Sequence, residues 1–74
     1  MLQIGKDDLK TLRISNKMTQ EEFAKELSIA QSYVGLMENG IKPISKPMVV
    51  RLVTHFGLNS VLEAKQLTQE LKST

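Results

Sequence analysis

Two helix signals in this chain stand almost end to end. Thr19-Gln20-Glu21-Glu22 has the pattern of a capping box. In such a box the Thr hydroxyl accepts from the amide of Glu22, and the Glu22 carboxylate accepts from the amide of Thr19. Phe23, Ala24 and Leu27 follow at the spacing of an inward helical stripe, so this helix ends near Leu27. The next runs from about Ala30 to Glu38, with Ile29, Val34 and Met37 inward, and stops at Asn39-Gly40. Only Ser28 and Ile29 separate the two, with Ala30 at the boundary. A connection that short forces a sharp angle between neighbours, as in a helix-turn-helix.

The rest of the chain also reads as short helices, and no stretch alternates with period two. Leu9 and Leu12 lie on one face of a first helix from about Lys6 to Asn16. Its first turn holds Asp7 and Asp8, where carboxylates favour the positive end of the helix dipole. Ser45 is placed to cap a fourth helix, with Pro47 tolerable in the first turn. Met48, Val49, Leu52, Val53 and Phe56 form its apolar stripe, and Gly57 ends it. Ser60-Val61-Leu62-Glu63 has the form of a second capping box. It would open a fifth helix over about 60–72, with apolar positions at Val61, Leu62, Ala64, Leu67 and Leu71. The expectation is an all-α fold of five helices, in which residues 1–74 form a single domain around a helix-turn-helix at 19–38.

Bulk properties narrow the classes. A chain of 74 residues makes one domain at most, and hides only about 60% of the surface it exposes when unfolded. It has no Cys, hence no disulfide framework and no Cys-based zinc site. Apolar runs are too short to span a membrane, and the first residues lack the regions of a signal peptide, so the expected place is the cytoplasm with no membrane partner. The net charge of +2 does not by itself indicate nucleic acid. Between Lys10 and Arg51, seven Lys or Arg stand against four Glu, a mild positive bias, while residues 52–74 balance. His55 has no second ligand at useful spacing, so no metal is expected. Arg51 reads as a solvated helix position. With no Gly-rich phosphate loop, paired carboxylates or nucleophile with a base, the chain is not read as an enzyme, and no cofactor is expected.

Leu12-Arg13, Met18-Thr-Gln-Glu-Glu-Phe-Ala at 18–24, Leu27, and Tyr33-Val-Gly-Leu-Met-Glu-Asn-Gly at 33–40 occur in order, followed by Ser45, Leu52 and Phe56-Gly57-Leu58. Over Leu9–Leu58 the chain thereby resembles the lambdoid phage repressor and Cro superfamily, the xenobiotic-response-element type of helix-turn-helix regulator. The resemblance implies a compact lambda-repressor-like DNA-binding domain whose third helix enters the major groove.

Roles follow residue by residue from that resemblance. Arg13 and Glu38 look like the ion pair that ties the first helix to the end of the third; the alternative is two independent surface charges. Gln20, one residue inside the capped second helix, would bond a DNA phosphate beside the free amides of the helix start. Gln31 could pair with an adenine edge, and Ser32 could serve a base or a phosphate. Tyr33 either meets DNA or covers the turn as a half-buried ring. Lys17, Asn39, Lys42 and Lys46 flank the recognition helix and would position it on phosphates without reading sequence.

Several residues depart from the pattern, among them Ser28 where Gly is common, Ile44 where Pro is common and Lys46 where an apolar residue is common. Ala30 stands where a Ser or Thr cap is usual, which leaves open an alternative capping box from Ser28 to Gln31. Gly35 sits mid-helix in place of a polar reader, and either removes a base contact or lets the backbone approach DNA or a partner closely. Leu36 likewise replaces a polar reader, and meets either a thymine methyl group or another protein.

The expected function is a sequence-specific, double-stranded DNA-binding transcriptional regulator, a repressor acting as a homodimer. Leu67 and Leu71, placed beyond the part of the chain needed to close the core, are the expected dimer surface. The alternative is a protein-interaction module, antirepressor- or antitoxin-like, that keeps the fold but binds a protein partner in place of DNA.

Overall fold

The computed structural model describes residues 2–73. Among these are five helices and no strand: α1 (Lys6–Ser15), α2 (Gln20–Leu27), α3 (Gln31–Glu38), α4 (Lys46–Phe56) and α5 (Leu58–Lys72). The all-α expectation holds, and the first four helices begin and end within a residue of the positions read from the sequence.

The first three helices stop in the same way. After each, one residue takes a left-handed conformation: Lys17 (φ 58°), Ser28 (φ 58°) and Gly40 (φ 76°). The next amide turns back to a carbonyl in the last turn, Met18 to Arg13 at 3.2 Å, Ile29 to Ala24 at 3.0 Å and Ile41 to Leu36 at 2.9 Å. This is the Schellman pattern, which satisfies carbonyls that a helix end leaves open. Only Gly40 adopts that conformation without a Cβ penalty; Lys17 and Ser28 carry one. Ser28 is therefore the stop of α2 and makes no capping box with Gln31. The turn that sets the helix-turn-helix angle is fixed by backbone hydrogen bonds.

Each helix contributes to one core. Leu9 and Leu12 of α1, Phe23, Ala24 and Leu27 of α2, Val34 and Met37 of α3, Met48 and Leu52 of α4, and Val61 and Ala64 of α5 are buried together. Phe23 stacks on the half-buried Phe56, with ring centroids 5.3 Å apart. Ile4, ahead of α1, is also buried and closes the core.

Three expectations need correction. The Ser60–Glu63 capping box does not form. Gly57 (φ 86°) turns the chain directly from α4 into α5, and α5 starts at Leu58. The amide of Val61 then bonds the carbonyl of Gly57 at 3.2 Å, and Val61 and Ala64 face the core. A global need to dock these two residues overrides a local cap signal.

The end of α5 is also not surplus to the core. Thr68 is buried, and its hydroxyl is 2.8 Å from both the Thr11 hydroxyl and the Ala64 carbonyl. Lys72 pairs with Asp7 at 3.0 Å and Lys65 with Asp8 at 3.6 Å, so α5 is fastened to α1 along much of its length. The Lys72 ammonium beside Asp7 holds that carboxyl below its ordinary range.

Finally, Arg51 is not merely solvated. Its guanidinium donates to the carbonyl of Leu27 at 2.9 Å, which ties α4 to the end of α2.

Candidate nucleic-acid interface

The site is built on α2 and α3, which share a length of eight residues. Thr19 and Glu22 make the reciprocal bonds read from the sequence, at 3.1 Å and 2.9 Å. The Thr19 amide and hydroxyl hold the Glu22 carboxyl below its ordinary pKa range. With these bonds made, the amides of Gln20 and Glu21 in the first turn still have no helical acceptor, and they form a partial positive charge open to an anion.

α3 crosses behind this start and is held there by Glu38. Arg13 Nε donates to Glu38 Oε2 at 2.7 Å and Nη2 to Oε1 at 3.1 Å. The two parallel bonds are the bidentate geometry of a charge-assisted pair. Arg13 Nη1 also donates to the Met18 carbonyl at 3.0 Å. One guanidinium thus joins α1, the turn before α2 and the end of α3. The Glu38 side chain is only 4% exposed, which makes this an interior contact of the joint.

Gln20 is drawn into the same network. Its side-chain amide donates to Glu38 Oε1 at 3.3 Å. The resemblance implied a phosphate contact; the structure adds an internal one, in which Glu38 fixes the orientation of the Gln20 carboxamide. One amide hydrogen remains for an outside acceptor. Gly35 lies next to it: a Cβ built there would stand 3.8 Å from Gln20 Oε1.

The outer face of α3 is otherwise free of charge. Gln31 and Ser32 are exposed, and Tyr33, Gly35 and Leu36 are half-buried. The Tyr33 ring packs against the core, as the covering reading had it, while one side lines a surface depression. That depression, of about 320 Å³, is bounded by Ser32, Tyr33, Leu36 and Lys42, so the loop lysine is brought beside the helix. Asn39 is exposed at the helix end.

A larger open cleft of about 600 Å³ lies further along, between the segment before α1 and the loop into α4. Lys42 and Lys46 line it together with Lys6, which sequence reasoning did not single out. The Lys6 side chain crosses the face of Gly40, with Cδ 3.1 Å from where a Cβ would be. The left-handed φ of 76° is what requires glycine at 40, and the Lys6 chain leaves little room for a side chain there; nothing in the local sequence of Lys6 signals this approach. Lys17 is exposed on the α1–α2 turn and lines neither cleft.

Charge is distributed unevenly over these surfaces. On the α1–α5 side, Asp7 and Asp8 are paired with lysines, and Glu38 is matched by Arg13. Among the described residues, Lys6, Lys42 and Lys46 have no carboxylate within ion-pair distance, and neither cleft is lined by an Asp or Glu. A modest net charge therefore leaves uncompensated cations beside α3. His55 lies 3.8 Å from Glu26 on the surface, and no group of three or more His, Cys, Asp or Glu suited to a metal occurs among the described residues. None of the helices there is long and apolar enough to cross a membrane.

Comparison with known proteins agrees with this geometry. The sequence pattern of the helix-turn-helix family matches residues 9–61. The chain is similar to a "Propionyl-CoA carboxylase regulator" of Cereibacter sphaeroides, at 29% identity over 68 residues, covering 86% of this chain. It spans about 15% of that relative's length. No solved structure matches it significantly. With the match covering the greater part of its length, from α1 into α5, the chain belongs to the Cro/C1-type helix-turn-helix family.

Proposed function

We propose that the chain is a sequence-specific, double-stranded DNA-binding transcriptional regulator that acts as a repressor. The observation that carries this reading is the surface around α3. An outward face bearing Gln31 and Ser32 is flanked by unpaired Lys42 and Lys46, while the one carboxylate of α3, Glu38, is neutralised within the joint. An uncharged probe of helix width flanked by cations suits the major groove, where base edges lie between two phosphate strands.

In this arrangement α3 enters the groove from its N-terminal end. Gln31 addresses an adenine edge and Ser32 a neighbouring base or phosphate. Gln20, oriented by Glu38, turns its remaining amide hydrogen to a phosphate beside the open amides of α2. Lys42, Lys46 and Asn39 hold one phosphate strand, and Lys17 extends the contact from the α1–α2 turn. Tyr33 supports the helix from the side. Bound over a promoter, the protein excludes polymerase.

A single copy makes few base contacts. Two copies on half-sites about 34 Å apart provide the rest, as dimeric helix-turn-helix regulators do. Leu67 and Leu71 of α5, 41% and 64% exposed, are proposed for the dimer surface. The relative's name makes it a regulator; its target is not carried over to this chain.

The test is selection from a pool of genomic fragments at about 150 mM salt, where non-specific phosphate binding is weak. Wild-type protein enriches a two-fold symmetric site, and the Gln31→Ala, Ser32→Ala double variant does not, although it stays helical. Equal enrichment by both would remove α3 from the readout. Failure of folded wild-type protein to enrich any site would favour the protein-interaction reading, for which the exposed Ile41 beside α3 (67%) is the first contact to examine.

A further inference from the structure

Gly35 has no internal reason to be glycine. It lies inside α3, where glycine weakens a helix, and it does not have a positive φ. An added Cβ would make only an ordinary contact, 3.8 Å from the flexible end of Gln20. Gly40 is the opposite case, since its left-handed φ requires glycine and the Lys6 chain at 3.1 Å leaves little room for a Cβ. A mid-helix glycine that nothing inside the molecule needs points to a body outside that comes close to the backbone.

Leu36 is next to it and is also unexplained from within. α3 gives the core the fully buried Val34 and Met37, with Tyr33 packed at its edge, and Leu36 is not among the residues that pack there. The usual apolar partner for Leu36 at this type of helix end is Ile41. Ile41 is 67% exposed and lines no part of the depression in which Leu36 sits with Ser32, Tyr33 and Lys42. α3 also carries no Arg or Lys, the commonest readers of guanine.

We propose that α3 is a thymine reader: Leu36 and the aromatic face of Tyr33 receive the C5-methyl group of a thymine in the depression, and the bare backbone at Gly35 allows the approach that brings it there. This rests on the DNA-binding reading above and adds the base class. The major-groove edge of thymine is the only one that carries a methyl group, so an apolar depression discriminates it from cytosine without a hydrogen bond. Lys42 at the rim takes the adjoining phosphate and fixes the depth.

The experiment begins with the highest-affinity duplex that wild-type protein selects from random DNA. Each thymine in it is then replaced singly by deoxyuridine, which removes the methyl group and leaves base pairing intact. One position per half-site should lose about three- to fivefold in affinity, the amount expected for one carbon withdrawn from an apolar contact. Leu36→Ala should lose a similar factor on the thymine duplex and no longer distinguish thymine from uracil there. Its adenine preference opposite Gln31 should persist, which separates lost readout from lost folding. Gly35→Ala should melt higher yet bind the duplex about tenfold more weakly.

Indifference to deoxyuridine at every position would overturn the proposal while leaving DNA binding intact, as would full thymine discrimination by Leu36→Ala. Undiminished binding by Gly35→Ala would remove the close approach. If wild-type protein selects no duplex at all, the DNA-binding reading itself fails, and this proposal with it.

Discussion

α2 and α3 are equally long and built to different standards. α2 opens with a complete capping box, carries Glu21 and Glu22 in its first turn and has good helix formers throughout. α3 opens on Ala30 with no side-chain cap, has no acidic residue in its first turn and contains Gly35. Helices this short are marginal alone, so α3 depends on what holds it: Val34 and Met37 in the core, and Glu38 in the grip of Arg13. The helix that supports is self-consistent, and the helix proposed to read is locally weak. Such departures from local rules are expected where a surface serves something other than stability.

The contrast is sharpest at Glu38. Glu38→Ala leaves the Arg13 guanidinium, 14% exposed, without its partner and should cost about 3–5 kcal/mol in urea unfolding. Replacing both, Arg13→Met with Glu38→Leu, should cost less than that single change, because no unpaired charge remains inside. A double variant as unstable as the single one would show that the pair itself, rather than the stranded charge, holds α3.

The caps give the next largest difference. Thr19→Ala should cost about 1–2 kcal/mol. Ala30→Ser should return about 1 kcal/mol, since Ala30 already has the extended cap conformation (φ −72°, ψ 143°) and a hydroxyl there needs no backbone change. Gly35→Ala should add about 0.8–1 kcal/mol. For a chain of this size each kilocalorie raises the melting temperature by about 4–8 °C. If both substitutions in α3 prove neutral, the helix is not locally weak and the comparison fails.

The smallest effect is acid sensitivity at the start of α2. Glu22 has its folded pKa lowered by the Thr19 amide and hydroxyl. Its contribution is therefore present above the unfolded carboxylate value and is lost as pH falls through the folded one. Glu22→Gln should flatten this part of the stability profile, and an unchanged slope would assign it to other carboxylates.

The fold was legible where a signal was local. Thr19, Ser45, Asn39-Gly40 and the apolar spacing placed α1 to α4, because caps and periodicity act over a few residues. The start of α5 was not, since Ser60 offers a cap that the turn at Gly57 makes unnecessary. Ile4 gave no pattern, being one apolar residue in an irregular segment. At the site, spacing marked the inward residues of α3 and the family resemblance gave roles to its outward ones, yet their surroundings were in neither. Gln20 meets Glu38 across 18 residues of chain, Arg51 finds a backbone carbonyl at Leu27, and Lys6 crosses Gly40. Each depends on how helices cross, which no window of sequence contains.

The central claim, that the outer face of α3 engages DNA, is tested most directly by titrating isotope-labelled protein with its selected duplex and following backbone amide signals at about 150 mM salt. The account predicts the largest shifts at Gln20 and from Gln31 to Leu36, with smaller ones at Asn39, Lys42 and Lys46, and little change over 61–68 of α5 beyond the effects of dimerisation. Shifts confined to α4 and α5, or an α3 that does not respond while DNA is bound, would contradict it.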